Sequence, residues 1–140
     1  MCVPFVVEQS FMHSKGQARL NANNVHIEFQ NVDAFLKVFK SKVQDFNIPC
    51  SEIEHAEFKS AWMGLDNALR IKTRSMKTVQ DFPGSEQGWI TLSIERAHRE
   101  LAAEFVSHLK LHVSEIALKR LDAKVEEAPA LNPPTQPQSI

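Results

Sequence analysis

Cysteine and net charge are both scarce in this sequence. Cys2 and Cys50 are the only thiols in 140 residues, too few for a disulfide framework and in no metal-ligand spacing. The 16 Lys and Arg nearly cancel the 17 Asp and Glu, leaving a formal net charge of -1. Bulk electrostatics therefore give no reason to expect a nucleic-acid partner. No apolar run approaches the ~20 residues of a membrane span. The first residues, Met-Cys-Val-Pro-Phe-Val-Val-Glu, are apolar but have no basic segment before them, which makes a poor signal peptide. Also missing are a working pair of carboxylates, a Ser-His-Asp set, a Gly-rich phosphate loop and a metal cluster. These absences point to a cytoplasmic, reduced domain with no catalytic activity, no cofactor and no resident metal.

What is present suits one domain. Hydrophobic residues make up 43% of the chain and charged residues 24%, enough to fill a core and solvate a surface. Seven stretches read as strands: Phe5–Met12, Gln17–Ala22, Val25–Gln30, Val43–Ile48, Ile53–Ser60, Ala68–Thr73 and Gly88–Ile94. The third alternates cleanly, with Val25, Ile27 and Phe29 on one face and His26, Glu28 and Gln30 on the other. His13-Ser14-Lys15-Gly16 reads as a turn, with Gly16 free to take positive φ, and Asn23-Asn24 as a hairpin turn. Pro49 ends the fourth strand because it brings no N–H to a ladder. Pro83-Gly84-Ser85 is another turn, and 75–82 fits a short helical excursion.

The strongest helical pattern follows the last strand. Leu101, Phe105, Leu109 and Ile116 form a stripe flanked by Ala102, Val106 and Val113. No Gly or Pro interrupts it before Glu127. Beyond Ala128, Pro129, Pro133, Pro134 and Pro137 mix with polar residues. This composition divides the chain into a domain at 1–121 and a Pro-rich, disordered tail at 122–140.

Several of these pieces together resemble a family. Ile48-Pro49-Cys50-Ser51-Glu52-Ile53, the turn Trp62-Met63-Gly64, Leu69-Arg70-Ile71-Lys72-Thr73, Pro83-Gly84-Ser85, the strand at Trp89 to Ile94 and the closing helix are similar to bacterial PH-like (pleckstrin homology) domains. The similarity covers Phe5 to Leu111. It implies a mainly β fold: a PH-like barrel of two roughly orthogonal antiparallel sheets, about seven strands in all, capped by one C-terminal helix. It also implies a non-catalytic binding or assembly module that engages a protein partner or itself, so a homo-oligomer is expected. Lipid-binding members carry a basic pattern between the first two strands. Here Lys15 and Arg19 are present, but Asn21 stands where the last Arg would be.

Three sets of side chains stand out as sites. Phe35, Leu36, Lys37, Phe39, Lys40, Trp62 and Met63 lie outside regular alternation and form a candidate partner or membrane surface, or else plug the core. Lys15, Arg19, Arg70, Lys72 and Arg74 form a candidate anion-binding rim; the plain alternative is a solvated face balanced by Glu52, Glu54 and Glu57. Cys50 with His55, or His108 with His112 at helical spacing, would be the working groups if the chain were a small enzyme. No orienting residue can be assigned to either pair. A peripheral membrane-binding domain is the second functional expectation and a small enzyme the third.

Overall fold

A computed structural model describes residues 1–8, 12–33, 42–60 and 66–127. Seven strands form one antiparallel sheet: β1 (Cys2–Glu8), β2 (Met12–Leu20), β3 (Asn24–Asp33), β4 (Gln44–Pro49), β5 (Ile53–Ser60), β6 (Asn67–Thr73) and β7 (Trp89–Ile94). Their order is β4-β3-β2-β1-β7-β6-β5, and among the described residues β4 and β5 are the edges and do not pair with each other, so the sheet is not closed. A short 3-10 turn, Cys50–Glu52, carries the chain from one edge strand to the other. Helix α1 (Arg99–Glu127) completes the fold. At ~1.5 Å per residue it is about 43 Å long, and it includes 122–127, which the composition had assigned to the tail.

Alternation decides which face is inside. Val3, Phe5 and Val7 on β1, Val25, Ile27 and Phe29 on β3, Leu69 and Ile71 on β6, and Ile90, Leu92 and Ile94 on β7 are all buried, each set at the period-2 spacing of a half-buried strand. Ala102, Phe105, Val106 and Leu109 of α1 complete the same core. Phe82, in the connection between β6 and β7, packs its ring 5.4 Å from both Phe29 and Phe46 and 6.3 Å from Phe5 (centroid distances). One side chain thus joins β1, β3 and β4 to the other end of the strand order. The buried polar residues Ser14, Asn67 and Thr73 each have a partner: Ser14 Oγ donates to Asn31 Oδ1 at 2.8 Å, Ser60 Oγ to Asn67 Oδ1 at 2.7 Å, and Thr73 Oγ1 to the Ser75 carbonyl at 2.7 Å; His13 Nδ1 and His112 Nδ1 are buried without one.

Three local expectations are corrected. Residues 13–16 do not turn; they lie in the middle of β2, where Gly16 pairs with Phe5 and Phe29. Glycine is required there for space, since a Cβ would fall on the Glu28 carbonyl oxygen and the Phe29 Cα of β3. On β5, strict alternation fails. A bulge between Ile53 and His55 shifts the register, so the buried positions are Ile53 and Ala56, three apart. The Pro83-Gly84-Ser85 turn matches, whereas Gly88 belongs to a turn and not to the last strand. Gly84 takes φ +74° after Pro83, and Gln87 and Gly88 both take positive φ in the two-residue turn between Glu86 and Trp89.

Candidate functional site

Helix α1 has two apolar sides. At ~100° per residue, Ala102, Phe105 and Leu109 share the side that enters the core. Leu101, Val113 and Ile116 pack partly against it. Leu111, Leu118, Leu121 and Val125 fall within about 80° of one another on roughly the opposite side. They are 58%, 60%, 57% and 75% exposed. Because the two stripes oppose each other, the helix has almost no net amphipathicity despite its apolar content. From Ala117 through Val125 every residue is exposed. The last turns of the helix stand clear of the sheet.

The exposed stripe repeats at intervals of seven, three and four, the spacing of a coiled-coil seam. Its flanks differ in charge. Glu104, Glu115 and Asp122 border one side, and Lys110 and Lys124 the other. In the sequence this stripe is overshadowed by the stronger periodicity of Leu101 to Ile116. The heptad from Leu111 to Val125 was the signal that would have found it.

Beside α1, the edge strand β5 lines an open cleft of about 260 Å³ with Ile53, Glu54, His55, Ala56, Lys110, Val113 and Ser114. β5 pairs with β6 alone among the described strands.

The five basic residues expected to form one anion rim are spread out. Lys15 and Arg19 are on β2, Arg70 and Lys72 on β6, and Arg74 just beyond it. β1 and β7 separate β2 from β6, roughly 14 Å at ~4.8 Å per strand. The structure brings Arg70, Lys72 and Arg74 together and engages each. Arg70 reaches Glu57 at 3.3 Å and lies 4.2 Å from the centre of the Trp89 ring, Lys72 reaches Glu54 at 3.3 Å, and Arg74 Nε donates to the Ser51 carbonyl at 3.3 Å. Partial desolvation pushes the Glu57 carboxyl up, but Lys59, His55 and Arg70 together hold it below its ordinary range. Arg19 Nε donates to Cys2 Sγ at 3.3 Å.

Cys50 is buried, and burial pushes its thiol up from the ordinary value. That is opposite to the activation a nucleophile needs. His55 points elsewhere, against the Trp89 ring and Glu57. His108 is exposed and His112 half-buried. Neither belongs to a group of three metal-ligating side chains among the described residues. Phe35, Leu36, Lys37, Phe39, Lys40, Trp62 and Met63 lie outside the described residues. No described helix is long and apolar enough to cross a membrane.

No family model matches the chain, and neither a curated protein nor a solved structure does.

Proposed function

We infer that the chain is a non-catalytic assembly module of the PH-like kind, which pairs with a second copy of itself through the free side of α1. The observation that carries this reading is the exposed heptad stripe Leu111, Leu118, Leu121 and Val125 on the side of the helix turned away from the core. The flanking charges specify the arrangement. In a parallel pair the acidic flank of each helix meets the lysine flank of the other, so Lys110 faces Glu115 of the second copy. An antiparallel pair sets acid against acid. The cores lie on the outer sides of both helices and do not obstruct the contact. Eight side chains, already partly covered, contribute about 10 kcal/mol gross. Association costs about 4–15 kcal/mol, so the dimer is weak and dissociates on dilution.

The PH-like part of the reading has its own support. Among the described residues β1 meets β7 at one recorded pair, Val6 with Ser93, whereas β1 pairs with β2 over its whole length. That single pair supports reading the one sheet as two layers, β1–β4 and β5–β7, joined at a corner, with α1 following the last strand. The buried Cys50 and its raised thiol argue against Cys50 as a nucleophile. Membrane binding is the weaker reading, because an acidic row beside the exposed stripe opposes an anionic bilayer.

Light scattering behind size exclusion tests the dimer. The expected mass is twice that of the chain at high concentration, falling toward one chain on dilution. Leu118→Glu with Leu121→Glu should give one chain at all concentrations with unchanged circular dichroism. Val125→Cys should cross-link to itself under mild oxidation, since parallel pairing brings the two copies of residue 125 together. A wild-type chain that stays single at high concentration would end this reading.

A further inference from the structure

His26, Glu28 and Asp45 converge on the outer face of the β3–β4 pair, independently of anything α1 does. Register puts them there. His26 and Glu28 are two apart on β3 and share a face, and Asp45 of β4 pairs with Glu28 while Asn47 pairs with His26. His26 Nε2 lies 3.3 Å from Glu28 Oε1 and 3.1 Å from Asp45 Oδ1. One ligand atom from each of the three residues lies within 4.8 Å of the other two.

The other ring nitrogen fixes what Nε2 presents. His26 Nδ1 is 2.8 Å from Asn47 Oδ1, and that amide is oriented by Asn24, whose Nδ2 donates to the same oxygen at 3.2 Å. Asn24 is held in turn by Asn21, whose Nδ2 donates to Asn24 Oδ1 at 2.9 Å. An amide oxygen only accepts, so Nδ1 carries the hydrogen. In the neutral ring the Nε2 lone pair then faces two carboxylate oxygens. Three acceptors so placed share either a proton on Nε2, which the raised His26 pKa reflects, or a metal ion that takes the proton's place. The arrangement is the one that holds a metal-binding imidazole in its tautomer, with an amide carbonyl on the far nitrogen.

We propose that His26, Glu28 and Asp45 bind a divalent transition-metal ion, with Zn²⁺ the best fit, and that Asn47 positions the imidazole. Ligand atoms about 2.0–2.1 Å from a tetrahedral Zn²⁺ stand about 3.3 Å apart, close to the two separations from Nε2. One nitrogen and two oxygens suit Zn²⁺ better than Mg²⁺, which prefers an all-oxygen shell. The side chains of Glu28 and Asp45 are 46% and 61% exposed, leaving a coordination position for water or a ligand. Arg19, opposite His26 on β2, is the nearby opposing charge. Its Nε is committed to Cys2, and the two carboxylates outnumber it.

Calorimetric titration with ZnCl₂ tests the site, in wild type and in Leu118→Glu/Leu121→Glu, where the proposed pairing of helices has no part. The expected result is one saturable ion per chain in both, with Co²⁺ giving visible absorption bands and Mg²⁺ giving no heat. His26→Ala or Asp45→Asn should abolish binding, and Asn47→Ala should weaken it about tenfold. All three positions face outward, so circular dichroism should not change. If a substituted chain loses its fold, chemical-shift changes at the His26 ring of wild type on Zn²⁺ addition decide the matter. Absence of saturable binding at millimolar Zn²⁺, unaltered binding in His26→Ala, or a ring that responds to protons but not to Zn²⁺ would each overturn the proposal.

Discussion

Gly16 shows how one residue is selected by its neighbour rather than by its own backbone. It sits inside β2 with ordinary strand pairing, and its missing Cβ is what lets the β3 backbone approach. Gly16→Ala drives a methyl into the Glu28 carbonyl, which belongs to another strand's ladder and cannot rotate away. Destabilisation of about 3 kcal/mol or more is expected, measured as a lower urea midpoint. A stability equal to wild type would mean the two strands have room to separate. From the sequence, Gly16 read as a turn because glycine next to polar residues usually is one. Close approach of two backbones leaves no local pattern. By contrast Gly84 was legible, since Pro-Gly carries its turn geometry in adjacent residues.

At the scale of elements, α1 divides its work along its length and around its axis. Phe105 is fully buried in the core, and Leu118 is mostly exposed beyond it. Phe105→Ala should cost about 3–5 kcal/mol. Leu118→Ala, measured at a dilution where chains are single, should stay within about 0.5 kcal/mol. Equal costs would mean that the outer stripe is covered within the chain. The buried stripe was legible because Leu101, Phe105 and Leu109 repeat at helical spacing. The outer stripe is spaced in the sequence too, but only the placed core shows that Leu111, Leu118, Leu121 and Val125 are exposed. Strand β5 makes the same point. Its bulge lets Ile53 and Ala56, three apart, share the core, and no local pattern marks it, because an extra residue in a strand is fixed by the partner's register.

At the scale of the molecule, Cys50 lies where one edge strand hands over to the other, and it is 1% exposed. Its thiolate forms reluctantly because burial raises its pKa. Labelling of the native chain with a thiol-disulfide reagent should modify Cys2 quickly and Cys50 only as fast as the fold opens, with both reacting at once in denaturant. Rapid modification of Cys50 without unfolding would instead mark the Cys50–Glu52 turn as a locally opening segment. This is also the assay that separates a structural cysteine from a nucleophile.

Alternation and helical spacing by themselves determined seven strands, one closing helix and most of the core, because those periods are properties of the backbone and survive without any neighbour. Only the tertiary structure decided which strands are neighbours, and therefore which side chains meet. Arg70 and Lys72 are committed to Glu57 and Glu54 across β5 and β6, while His26, Glu28 and Asp45 gather across β3 and β4. Residues 13–19 apart in sequence become contacts only through register, and register is set by how the inner faces pack.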